Sequence, residues 1–338
     1  MKWLAFLVLL GCAQVTSLNL RKHQFGILPT KIIWFQVAGF ELEQLSMLRF
    51  QKSGETKTSF EQSICLGSTW NYNFYQLRND AESTFLSQIT GKKNISQSCV
   101  DSEHKPIWSY IRDNGYQTGI LENGPGKEQS LSSLNQCGEK GLVFLSYLYF
   151  WIRSTPPKDA QTFHYSEGVP ARANQLLYDR TCADTHCTST LQENFHSVYQ
   201  KLRRSSGRNL LIIRDFSYLA ALEKKDFSRA REILMDLERT YADALKLSRE
   251  SNDFLVLLTT GESKFVDMPD QGKSWYDYDK GSKNVQVKRT KLTNLVLANG
   301  SRAENFCGLY DDSQVFDRIL SGPKEQGLEL KIINPFKK

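Results

Sequence analysis

Histidine is scarce in this chain, with five in 338 residues, and none follows His196. A site built from the later strands must therefore do without imidazole ligands and imidazole bases. Long apolar runs are also missing. The stretch Trp3–Leu10 is too short to cross a bilayer, which excludes an anchor helix there. No segment repeats at a fixed period and no low-complexity tract occurs, which excludes solenoid architectures. Charge of one sign is not concentrated. The net charge is +6, and the basic residues are scattered apart from Lys201–Arg204 and Lys337-Lys338. A solvated surface accounts for that pattern, and no aromatic-basic motif points to nucleic acid.

What is present begins with a leader. MKWLAFLVLLGC places one lysine before the apolar run, the pattern of a secretory signal, expected over residues 1–17. Two processing readings stay open. Leu9-Leu10-Gly11-Cys12 resembles a bacterial lipobox, in which Cys12 is lipidated and anchors the chain to a membrane. Val15-Thr16-Ser17 offers the small residues of ordinary cleavage. The expected location is outside the cytoplasm: the periplasm, or the outer membrane as a lipoprotein if the source is bacterial.

Setting Cys12 aside leaves Cys65, Cys99, Cys137, Cys182, Cys187 and Cys307. An even number in an exported chain points to disulfides. Cys182 and Cys187, joined by the short loop CADTHC, are the expected pair, a bridge worth roughly 2 kcal/mol by loop closure. The connectivity of the other four stays open. A competing reading has zinc on Cys182, His186 and Cys187, but no second cysteine half-site accompanies them. Asn94-Ile95-Ser96 and Asn299-Gly300-Ser301 are sequons that matter only in a glycosylating host.

Composition is 40% hydrophobic and 24% charged, enough for one large α/β domain, expected over 18–338. Lys31–Val37 (KIIWFQV), Asn209–Arg214 (NLLIIR) and Phe254–Thr260 (FLVLLTT) are continuous apolar runs, as buried parallel strands tend to be. Tyr116–Leu121 and Gly141–Trp151 (GLVFLSYLYFW) read as further strands, with Tyr147–Trp151 packed in the core. Helices are expected over Glu41–Gln51, over Ser83–Thr90 with Gly91 as its stop, and from Ile107 to Asn114-Gly115. Two more are expected over Thr188–Arg204 and Ser228–Ser248, the second with Ile233, Leu234, Leu237, Tyr241, Ala244 and Leu245 on one face. Residues 153–207 are polar and proline-broken, and read as a cap or insertion over the sheet edge. The strand–helix–strand order predicts a parallel sheet covered on both faces.

Four of these stretches, in order, resemble the alkaline phosphatase superfamily. KIIWFQVAGFELEQL is similar to its opening strand, whose turn usually ends in Asp-Gly. NDAESTFLSQITGKK (Asn79–Lys93) is similar to its nucleophile segment, TDSAASATAxxTGxK. NLLIIRDFSYLAAL with the following helix, and FLVLLTTGE, are similar to its late strands, which supply an acidic ligand, then Asp and His, then Asp-His. GSRAENFCGLYDDSQVFDRIL (Gly300–Leu320) supports the match. The resemblance implies an α/β three-layer sandwich with a mostly parallel central sheet and a cap-like insertion. It also implies that the functional positions have been emptied. The first metal ligand falls on Ala38, the nucleophile on Ala81 and the late-strand acid on Arg214. The Asp and His after it fall near Leu219 and Glu223, and the Asp-His pair on Gly261-Glu262. Only Asp80 matches. The family's phosphoryl transfer needs a metal-activated alkoxide. A methyl group cannot attack phosphorus, and an arginine repels the cation it replaces.

The expected reading is therefore a pseudoenzyme without cofactor or metal, acting as a binding or structural protein of the cell envelope. Its partner would be an envelope protein or a small anionic ligand. The alternative is a hydrolase of phosphate or sulfate esters with a rebuilt or metal-dependent site. Arg214 and Lys264 are candidate anion-binding cations; the competing reading pairs Arg214 with Asp215, Glu262 or Asp80. Glu82, Glu122, Asp215, Glu262 and Asp267 are candidates for a new carboxylate site, and Ser83 or Thr84 for a displaced nucleophile without an evident base. Trp275, Tyr276 and Tyr278 mark an aromatic loop that either binds a partner or folds back on its own domain.

Overall fold

The computed structural model describes residues 29–49, 57–126, 128–170, 172–183, 186–267 and 286–320. The expected leader with Cys12, and the loop of Trp275, Tyr276 and Tyr278, lie outside the described residues.

Fourteen strands are described. In chain order they are β1 (Lys31–Ala38), β2 (Cys65–Trp70), β3 (Tyr116–Asn123), β4 (Leu148–Arg153), β5 (Thr162–Phe163), β6 (Gln175–Asp179) and β7 (Cys182–Ala183), then β8 (His186–Cys187), β9 (Arg208–Asp215), β10 (Phe254–Gly261), β11 (Lys264–Val266), β12 (Val287–Thr290), β13 (Thr293–Gly300) and β14 (Gly308–Asp311). The helices are α1 (Ser46–Arg49), α2 (Ala81–Thr90), α3 (Ile107–Ile111), α4 (Gly138–Phe144), α5 (Leu191–Ser205), α6 (Ser217–Glu223), α7 (Phe227–Glu250) and α8 (Gln314–Leu320).

Ten strands form one sheet in the order β14-β2-β13-β10-β1-β9-β3-β4-β6-β5. Every pairing in it is parallel except those of β13, which runs antiparallel to both β10 and β2. Alternation along the central strands divides the core in two. Ile33, Phe35, Leu211, Ile213, Val256 and Leu258 face one side, where α5 and α7 bring Phe195, Leu202, Leu234 and Tyr241. Ile32, Trp34, Leu210, Ile212, Leu255 and Leu257 face the other, where α2, α3 and α8 bring Leu86, Ile89, Ile107 and Phe316. Because both faces are covered, the strands need apolar residues at every position, hence the unbroken runs. This is the three-layer α/β architecture.

The reading departs from the structure in three places. Gly141–Trp151 is not one strand: its first residues belong to α4, and β4 begins only at Leu148. The chain turns at Tyr147, which has φ +67°. An apolar run this short does not distinguish a buried helix from a strand. Residues 153–207 do not lie over the sheet edge. They form it, as β5 and β6, and α5 packs its Phe195, Val198 and Leu202 into the core. The helix expected over Glu41–Gln51 is a 3-10 turn, Leu42–Leu45, followed by the four-residue α1.

Three disulfides are present: Cys65–Cys307, Cys99–Cys137 and the expected Cys182–Cys187. The last removes the zinc reading, because a disulfide sulfur is not a thiolate ligand. No described helix is long and apolar enough to cross a membrane.

Candidate functional site

The carboxyl ends of β1, β9 and β10 are in register. Ala38 pairs with Gly261, and Gln36 with Arg214. The amino end of α2 meets them. Asp80 caps that helix, accepting the Ser83 N–H at 2.8 Å, and Gly91 ends it in the left-handed conformation at φ +68°. In open α/β sheets this is where ligands bind.

Here the place is packed with hydrocarbon. Ala38, Ala81, Phe85, Phe216 and Leu219 form one apolar cluster, none more than 2% exposed. The rings of Phe85 and Phe216 meet edge-on with centroids 5.5 Å apart. Two glycines make the packing possible. A Cβ at Gly261 would lie 2.7 Å from the Phe85 ring, and one at Gly39 (φ +83°) would lie 3.1 Å from Leu219. Any side chain at 261 would therefore have to displace the phenyl ring.

Arg214 lies over this cluster, fully buried, its guanidinium carbon 5.1 Å from the Phe216 centroid and 5.7 Å from that of Phe85. Its Nη1 donates to Glu122, which is equally buried. The expected partners Asp215, Glu262 and Asp80 are thus replaced by Glu122, which sits opposite Arg214 in the parallel register of β3 and β9. Glu122 also accepts from the Ser130 hydroxyl and, at 3.0 Å, from the Leu131 N–H. Arg214 Nε and Nη2 have no partner among the described residues.

The other candidates are committed elsewhere. Asp215 accepts from Asn123, Ser217 and the Tyr218 N–H, and its burial pushes its carboxyl above the usual range. Glu262, at φ +52°, accepts the Ala81 N–H at 3.1 Å and pairs with Lys264 at 2.6 Å. Lys264 also reaches Glu223 at 3.8 Å. It is therefore an ion-paired lysine, and no contact joins it to Arg214 among the described residues. Asp267 pairs with Lys288 at 3.1 Å beside the antiparallel pair β11–β12. The five carboxylates expected as a new site do not assemble. Glu82 is half-buried, and burial pushes its carboxyl up to about 7 against the opposing pull of Arg214. Thr84 donates to Asn71 at 2.9 Å, and the buried Ser83 hydroxyl has no partner among the described residues, so neither faces a base.

Sequence reasoning did not single out Phe85, Phe216 or the Glu122 partnership. A signal for Phe85 was present. It stands where the pattern TDSAASATAxxTGxK has alanine, next in the stripe after the emptied nucleophile position.

Comparison with solved structures decides the scaffold. The alkaline phosphatase of the Antarctic bacterium TAB5 superposes with a TM-score of 0.66 at 15% identity, covering 87% of this chain and 97% of that one. The chain has the alkaline phosphatase fold. The Thermus thermophilus alkaline phosphatase gives a TM-score of 0.68 at 11% identity, over 91% of this chain and 94% of that one. A cold-active alkaline phosphatase from Shewanella sp. gives 0.66 at 10% identity, over 86% and 98%. No protein-family profile and no curated protein sequence matches the chain. Identities this low establish the alkaline phosphatase scaffold and leave activity to be argued from the site.

A metal centre does not fit the residues present. Ala38, Leu219 and Gly261 offer no donor, and Arg214 brings a cation. Among the described residues no three His, Cys, Asp or Glu side chains come together as a ligand set.

Proposed function

We propose that this chain is a non-catalytic protein of the alkaline phosphatase fold, its reaction centre closed by hydrophobic packing, and that it acts as a binding or structural protein of the cell envelope. The single observation behind this reading is the cluster of Ala38, Ala81, Phe85, Phe216 and Leu219, in which the nucleophile and ligand positions meet as apolar core. A nucleophile needs an oxygen or sulfur there, and a metal needs donors. The chain supplies a methyl group and two phenyl rings. Glu262 occupies the amino end of α2 with its own carboxylate, so an external anion would have to displace it.

The three disulfides support export to an oxidising compartment. Lipid attachment at Cys12 would place the chain on an envelope membrane. The partner is then an envelope protein, or a small anion held by the two unpartnered nitrogens of Arg214, Nε and Nη2.

The test combines metal analysis of the purified protein with a panel of phosphomonoester, phosphodiester and sulfate-ester substrates. Absence of turnover with or without added zinc and magnesium is expected. Stoichiometric zinc with turnover would overturn the reading in favour of a rebuilt hydrolase site. A thermal-shift scan with phosphate and sulfate tests the anion role: an unchanged melting temperature at millimolar anion leaves only the protein partner.

A further inference from the structure

The amino ends of β3 and β4, at the opposite end of the strands from the packed cleft, hold a cavity of about 200 Å³. Trp108, Arg112, Tyr116, Thr118, Tyr147 and Tyr149 line it. We propose that this cavity is a binding site for a single sugar ring, with Tyr147 as its platform.

The backbone points to function first. Tyr147 has φ +67° and is 57% exposed. Facing it, Asn174 has φ +65°, accepts the Tyr147 N–H at 2.6 Å and donates its own N–H to Leu148 O at 2.8 Å. Tyr147 is thus locked in the left-handed region, at a cost of roughly 1–3 kcal/mol, by Asn174, a residue type that adopts that region readily. A turn needing only that geometry is served better by glycine. The arrangement instead holds a large aromatic ring, more than half exposed, beside a cavity.

The lining defines the ligand. Tyr147 and Tyr149 offer aromatic faces, on which the C–H faces of a pyranose rest. The Arg112 guanidinium lies 4.5 Å over one face of the Tyr147 ring and lines the cavity with it. Ser109, Thr118 and Tyr149 bring hydroxyl groups to the lining, with Thr118 3% exposed. Aromatic faces among neutral hydroxyls suit a polyol. An apolar ligand would offer the Thr118 hydroxyl no partner. A phosphate would meet a single cation, and Arg112 Nε already reaches Asp113 at 3.3 Å. The volume is below the 300 Å³ or so at which pockets take drug-sized ligands, and so limits the occupant to about one ring.

The experiment is saturation-transfer NMR and titration calorimetry on the whole protein with glucose, galactose, mannose and N-acetylglucosamine. Phenol and inorganic phosphate serve as the aromatic and anionic controls. Saturable millimolar binding of at least one sugar is expected, weakened about tenfold or more by Tyr147→Gly and by Thr118→Val. Tyr147→Gly relieves the left-handed strain, so its melting temperature is expected to stay level or rise while binding is lost. That split separates a ligand platform from a structural tyrosine. Absence of saturable binding by all four sugars overturns the proposal. Undiminished binding by Tyr147→Gly, or binding of phenol or phosphate in their place, overturns it too.

Discussion

Asp312 gives the sharpest test of the buried chemistry under the closed cleft. It is fully buried after β14 and receives hydrogen bonds from Thr69, from Gln88 at 3.3 Å and from Asn294 at 3.1 Å. Gln88 carries the network on to Gln36 at 3.1 Å and Thr259 at 2.7 Å, and Thr259 accepts from Trp34 at 2.9 Å. Three donors favour the ionised carboxylate, but burial outweighs them and pushes its pKa from 3.8 up to about 7. The folded chain then keeps a proton that the unfolded chain has released between those values. Stability from this group is complete below 3.8 and falls as pH rises towards 7. The full displacement corresponds to about 4 kcal/mol, of which roughly 2 kcal/mol falls between about pH 5 and pH 7. The perturbation is Asp312→Asn, and the assay is urea unfolding of both proteins across that range. An amide facing the Asn294 N–H carries a fixed cost, which cancels in the slope, as does the titration of Glu82. Relative to the parent, the variant is expected to gain about 2 kcal/mol as pH rises over those two units. A difference that stays flat, or that moves towards the parent, would show Asp312 ionised and held by its three donors, and would refute the reasoning.

Three further outcomes are expected from the packed cleft and the strands around it. Phe85→Ala should cost about 3–5 kcal/mol in denaturant unfolding and create no esterase activity, because it empties the centre of the apolar cluster; parental stability would show that the ring is not packed there. Arg214→Met should cost about 3–5 kcal/mol by stranding Glu122, with much of it recovered when Glu122→Gln is added. Additive losses in that pair of variants would deny the coupling. In a glycosylating host, peptide mapping should find glycan on Asn94 and none on Asn299. Asn94 sits in a half-buried loop, whereas Asn299 lies in β13, 5% exposed, donating to Tyr241 at 3.0 Å and accepting the Ile64 N–H at 3.0 Å. Occupancy at Asn299 would contradict the buried strand.

Much of the scaffold was legible because its strands are buried on both faces. KIIWFQV, NLLIIR and FLVLLTT carry no polar alternation, and each proved a central strand. The positions at the strand ends were legible by their residue types, since an alanine or glycine announces what it cannot do. Two things stayed hidden. The partner of Arg214 depends on β3 lying beside β9, and a local sequence does not carry strand adjacency across 92 residues. The division of GLVFLSYLYFW into helix and strand depends on a strained tyrosine at the turn, and tyrosine is not a turn signal.

Strand β2, second from the edge of the sheet, is made early in synthesis, yet both of its neighbours, β13 and β14, come at the far end of the chain. Cys65 likewise waits for Cys307, 242 positions later. Until synthesis delivers those residues, β2 presents unsatisfied backbone on both flanks, a template for pairing with other chains. A nascent polypeptide halted before residue 293 would keep its central strands but expose that ribbon to aggregation.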